Sequence, residues 1–173
     1  MQFFSGFSLT NESYLFDEYI SKSDYSVVGF SYGAIKAFEY VKKELASSRR
    51  VDTLQLISPA FFQNKPNKFK KLQLMAYKKN ELTYMKSFIN LCFEPYEKKI
   101  VQNKQTTKEE LEELLNFEWN IQELESLVQK GVKIEVYLGE YDKIIDATDA
   151  KEFFIQVATV TYIKEANHFL QLN

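Results

Sequence analysis

The stretch that most constrains this chain is Gly29-Phe30-Ser31-Tyr32-Gly33. Tyr25 to Val28, just before it, reads as a short buried strand. Just after it, Ile35, Phe38, Val41 and Leu45 fall on one face at helical spacing, so Tyr32 to about Ser47 reads as a helix. A strand-to-helix turn this tight brings side chains two places before and after the serine into neighbouring backbone, and glycine at both places removes the collision. Ser31 is then expected in a strained, exposed position at a helix N-terminus, where unpaired N–H groups favour developing negative charge. The plain alternative is a glycine-rich turn without chemistry, and the rest of the chain has to decide between them.

Gln2 to Phe4 can be a strand ending in Ser5-Gly6-Phe7-Ser8, followed by a helix capped at Thr10 or Asn11 with Tyr14, Leu15, Phe16, Tyr19 and Ile20 on its apolar side. Past the helix after Ser31, Val51 to Ile57 reads as another strand, broken by Ser58-Pro59. From Gln63 to about residue 118 charge rises, glycine disappears and the periodicity is helical. Leu72, Met75 and Tyr77 belong to one helix, Leu82, Met85, Phe88, Ile89 and Cys92 stripe the next, and Thr107-Lys108-Glu109-Glu110 caps a third. A helix then runs from Asn120 to Lys130 and stops at Gly131. Val132 to Leu138 alternates as a strand, a short helix spans about Ala150 to Val157, and Val160 to Ile163 is the last strand. Alternating strands and helices call for an α/β fold with a parallel sheet and helices on both faces.

At 173 residues and 45% hydrophobic, the chain makes one full domain, residues 1–173, with a helical lid inserted at 63–118. A net charge of −2 predicts no general attraction to nucleic acid. Cys92 is the only cysteine and can form no internal disulfide, which suits a reducing, cytoplasmic setting. No basic leader opens the chain and no run approaches the ~20 apolar residues of a membrane helix, so no membrane is expected. A monomer is expected.

A serine hydroxyl becomes a useful nucleophile when a histidine takes its proton and a carboxylate holds that histidine. His168 is the only histidine and lies just past the last predicted strand, as Ser31 lies just past another. In an open parallel sheet both positions fall on the carboxyl edge. Asp142 follows a strand end too, with Asp146 and Glu140 as rivals for the acid. The Ser, Asp, His order is that of a known hydrolase arrangement. An oxyanion needs two backbone N–H donors, and the candidates are Tyr32, after the serine, and Phe7, in the loop after the first strand.

Through Ser5-Gly6-Phe7, Gly29-Phe30-Ser31-Tyr32-Gly33, Gly139-Glu140-Tyr141-Asp142 and Ala166-Asn167-His168-Phe169, the chain resembles the α/β-hydrolases over nearly its whole length. It looks more like a short, divergent form of the pimeloyl-[acyl-carrier-protein] methyl ester esterases of biotin synthesis, through the Gly29–Gly33 turn, Ile57-Ser58-Pro59-Ala60-Phe61 and Phe88-Ile89-Asn90-Leu91. That resemblance implies a reduced α/β-hydrolase fold, a serine carboxylesterase and no cofactor or metal. It also implies that Phe88, Ile89, Asn90, Leu91 and Cys92 line an acyl tunnel, lid core packing being the alternative. Acyl carrier protein would be the partner, met by a basic run in the lid that includes Lys65, Lys68, Lys70 and Lys71. A generic carboxylesterase or acyl thioesterase, and a non-catalytic binding module on the same fold, are the other readings. Two departures stand out. Ser31 comes so early that the family's extra strands have no room, leaving about five. Ser5-Gly6 also replaces the family's usual His-Gly.

Overall fold

A computed structural model describes residues 1–173. Its centre is one parallel sheet of β1 (Gln2–Phe4), β2 (Ser26–Phe30), β3 (Thr53–Ile57), β4 (Lys133–Gly139) and β5 (Thr159–Ile163), in that spatial order. The five strands are the number left by the early position of Ser31. Six helices accompany them: α1 (Tyr32–Ala46), α2 (Asn67–Lys79), α3 (Glu81–Phe93), α4 (Lys108–Asn116), α5 (Ile121–Gln129) and α6 (Ala147–Phe154). The last is shifted toward the N-terminus of its expected span because Asp146 caps it, accepting the Thr148 and Asp149 N–H groups at 3.1 and 3.0 Å.

Pleating divides the sheet residues between two faces. Val27, Leu54 and Ile134 are in register and bury one face with Leu56, Val136 and Leu138, under α1, α5 and α6. Val28, Phe30 and Ile57 bury the other, under Phe16, the end of α3 and Phe169. Helices therefore cover the two faces unequally. The expected helix after Thr10 is only a 3-10 turn, Glu12–Phe16. The β2–β3 and β4–β5 connections run over the α1 face, the long β3–β4 connection puts α5 there but the end of α3 on the other face, and the β1–β2 connection runs over that other face. Both steps cross the sheet in the same direction, so the β1–β2 connection has the opposite hand to the β2–β3 connection through α1. The chain makes it with an irregular loop: Phe16 plugs against Phe30 at 4.8 Å between ring centroids, and the loop is tied outward to residues 100–104.

Residues 63–118 contain α2, α3 and α4, joined by a non-helical stretch from residue 94 to 107. Thr107 and Glu110 cap α4 reciprocally, at 3.1 and 3.0 Å. The two ends of the insert are stitched together, since Trp119 donates through Nε1 to the Ala60 carbonyl (2.8 Å) and through its N–H to Gln63 Oε1 (2.7 Å). From within, Glu113 of α4 accepts the Tyr32 hydroxyl and the Lys36 ammonium, both on α1. The lid is thereby fastened to the helix that starts at Ser31. No helix is long and apolar enough to cross a membrane.

Candidate active site

Ser31 links β2 to α1 with φ 54° and ψ −115°, a left-handed conformation that costs a non-glycine residue of order 1–3 kcal/mol. The flanking glycines permit the turn. A Cβ on Gly33 would stand 2.0 Å from the Phe4 carbonyl oxygen, and one on Gly29 would stand 2.3 Å from the Gly33 oxygen. Backbone bonds fix the strained peptide from both sides: the Ser31 N–H donates to the Ile57 carbonyl at 2.9 Å, and the Ser31 carbonyl accepts from Ala60 at 3.1 Å.

His168 reaches Ser31 from the loop after β5. That loop lies directly on Gly139 at the end of β4, where a Cβ would meet the Asn167 carbonyl oxygen at 2.3 Å. Asn167, wholly buried, shapes the loop: it donates to the Phe93 carbonyl at 2.7 Å and accepts the Phe169 and Gln171 N–H groups. His168 Nε2 then sits 3.0 Å from Ser31 Oγ, and Nδ1 sits 2.6 Å from Asp142 Oδ2. The other Asp142 oxygen accepts the Ile144 and Ile145 N–H groups at 2.8 and 3.1 Å, which locks the carboxylate. With the proton on Nδ1 facing Asp142, Nε2 is free to accept the serine proton. The rival acids are engaged elsewhere, Asp146 as the cap of α6 and Glu140 with the Glu165 N–H at 2.9 Å.

The Phe7 and Tyr32 backbone N–H groups have no acceptor within the protein. Their side chains meet edge to face, ring centroids 6.1 Å apart, so both donors belong to one packed corner. Contrary to the expected exposure, Ser31 is only 2% accessible and His168 not at all. The lid closes over the strand ends: Phe88 of α3 packs edge-on against Phe7 at 6.0 Å and stacks with Tyr84.

The five lid positions from 88 to 92 do not share one surface. Phe88 and Leu91 line a cavity of about 550 Å³ between α2 and α3, with Gln73, Ala76, Thr83 and Tyr84. Ile89 and Cys92 point into the core, and Asn90 is exposed. Burial pushes the Cys92 thiol well above its usual pKa, so it stays an uncharged core filler. Of the lid lysines, Lys68 and Lys71 are exposed and Lys65 is half-buried, but Lys70 is buried, which corrects the expectation that Lys70 belongs to the carrier-facing basic run. The helical period explains this, because Lys70 falls on the face of α2 that carries buried Tyr77, seven residues on. Three contributors carry no motif of their own: Glu12 beside the Phe7 loop, Glu113 beneath the lid, and Asn167. Only Asn167 left a trace, its place next to the lone histidine. No group of three or more His, Cys, Asp or Glu side chains is arranged to hold a metal ion.

No protein-family model and no curated protein matches the sequence. Solved structures do. The chain is similar to carboxylesterase CesB from Bacillus subtilis (TM-score 0.56, 18% identity, 96% of this chain and 62% of that one). It is also similar to BioG from Haemophilus influenzae (TM-score 0.55, 13% identity, 98% and 88%) and to E-2-(acetamidomethylene)succinate hydrolase (TM-score 0.57, 11% identity, 97% and 84%). The fold is that of the α/β-hydrolases, reduced to five parallel strands. The chain spans less than two thirds of the Bacillus subtilis hydrolases it matches, 54% of one and 62% of CesB.

Proposed function

We propose that the chain is a serine esterase, a reading carried by the continuous hydrogen-bonded line Ser31–His168–Asp142. Ser31 Oγ attacks the ester carbonyl while His168 Nε2 takes its proton. The oxyanion that forms is met by the Phe7 and Tyr32 N–H groups. His168 returns the proton to the departing alcohol, leaving an acyl-serine. Water then attacks the acyl carbon by the same proton route and frees the acid. Asp142 holds the ring and stabilises the imidazolium without itself taking the proton. A binding module would have no use for a strained serine with a histidine aimed at it.

The substrate we propose is the methyl ester of a pimeloyl chain on acyl carrier protein. Its support is the sequence resemblance of the elbow and lid runs, the likeness to BioG along almost the full length of both chains, and an apolar lid cavity beside Phe88. Lys65, Lys68 and Lys71 would meet the acidic carrier, and Phe88 and Leu91 the acyl chain. The test uses a fluorophosphonate probe and two substrates, p-nitrophenyl butyrate and a carrier-linked methyl ester. Wild type should be labelled and should turn over both, and Ser31→Ala should be unlabelled and orders of magnitude slower. Near-normal turnover by a folded Ser31→Ala protein would end the esterase reading. Turnover of the butyrate ester alone would favour a general carboxylesterase.

A further inference from the structure

Glu12 is a carboxylate with no exposure, and no lysine, arginine or histidine nitrogen lies within 4.0 Å of it. Its Oε1 accepts the Gly6 N–H at 2.7 Å, while Oε2 has no hydrogen-bond partner. Burial pushes the carboxyl above its ordinary pKa, partly offset by its own N–H, that of Gly6, the Ser5 hydroxyl and the charge of Lys104. A packed apolar side chain would be cheaper at such a place, so the short bond to Gly6 asks for an explanation.

That bond falls at one end of a clamped loop. Gly6 lies against the Phe30 ring, where a Cβ would come within 2.8 Å. Past Phe7, the Ser8 carbonyl accepts the Lys104 N–H at 2.7 Å, and the Thr10 N–H donates to the Gln102 carbonyl at 3.2 Å. Asn11 Oδ1 adds a bond from the Gln102 N–H at 2.6 Å. Glu12 is thus the inner anchor and residues 102–104 the outer one. The peptide between them carries the Phe7 N–H.

We propose that Glu12 is a positioning residue: by holding the Gly6 N–H it sets the Phe7 N–H toward the oxyanion formed at Ser31. The inference rests on the esterase reading above. Donors of this kind act on the transition state, so displacing one lowers kcat and leaves KM nearly alone.

The full chain with Glu12→Gln, Glu12→Asp and Glu12→Leu is assayed on p-nitrophenyl butyrate, with melting curves and fluorophosphonate labelling beside it. Gln keeps an oxygen at the same reach, so Glu12→Gln should retain kcat within about threefold. Asp keeps the charge but falls one methylene short of Gly6, and Glu12→Asp should lose at least about tenfold in kcat. Glu12→Leu should lose about 10²-fold. KM should change little, and Ser31 should still label, more slowly. A folded Glu12→Asp protein at wild-type kcat, or Glu12→Gln falling as far as Glu12→Asp, would overturn the proposal even if Glu12→Leu does not fold. A wild type that neither labels nor turns over ester would instead remove the esterase reading, and this inference with it.

Discussion

His168 Nδ1 lies 2.6 Å from Asp142 Oδ2, with both side chains wholly shielded from water. Residues 26 apart in the chain meet here because β4 and β5 are neighbours and their trailing loops share one edge of the sheet. The second Asp142 oxygen is occupied by two backbone N–H groups, so the carboxylate can present only one oxygen to the ring.

Asp142→Asn should leave the imidazole in the wrong tautomer and lower kcat/KM for p-nitrophenyl butyrate by about 10⁴. Asp146→Asn removes no contact to His168. It keeps a capping side chain, so both activity and melting temperature should hold, and Asp146→Ala should cost about 1 kcal/mol of stability with activity retained. Steady-state kinetics with thermal melts checks the set. A crippled, folded Asp146→Ala protein would mean that the wrong acid has been chosen.

Glu113 fastens the lid, and its pKa reflects that. Burial works against its carboxylate, but the bonds from Lys36 and Tyr32 outweigh burial and leave the pKa below the usual 4.5. A group depressed in the folded state stabilises fully above its unfolded pKa, and the contribution fades as pH falls through the folded value. Urea unfolding should therefore show wild type more stable than Glu113→Gln at pH 7, by about 1 kcal/mol or less because the pair is partly exposed. The difference should shrink below about pH 4.5. A gap that stays constant to acid pH would show that the ion pair contributes nothing.

The exposed lysines of α2 lead to a prediction about salt. Charges of this kind steer encounter more than they add affinity, and salt screens them over ~10 Å at 0.1 M. Raising salt should lower kcat/KM for a carrier-linked methyl ester and leave a small free methyl ester nearly unchanged. Lys68→Glu with Lys71→Glu should slow only the carrier-linked substrate. Lys70 is left out, because its stem is packed into the lid and its loss would disturb folding. Equal slowing of both substrates would point to a damaged lid, and no slowing of either would leave the patch as solvated surface.

What the sequence determined by itself is what neighbouring residues settle among themselves. Gly29 and Gly33 dictate the turn at Ser31, because a Cβ at either place strikes backbone a few residues away or on the adjoining strand. Thr107 with Glu110, and Asn120 with Glu123, start helices through bonds spanning three residues. Alternation of strand and helix implied the parallel sheet of five. The tertiary structure alone decided what depends on packing between distant segments. Placement after the β4 strand end favours Asp142 over Asp146 and Glu140, but only the meeting of two loops turns its carboxylate toward His168. Leu91 borders a cavity and Cys92 the core because the turn of α3 is set by what it packs against. The segment after Thr10 has the periodicity of a helix, yet it folds as one 3-10 turn, because it must cross the less covered face of the sheet and bring Glu12 to Gly6. Those outcomes arise from contacts between residues far apart in the chain, and no local pattern records them.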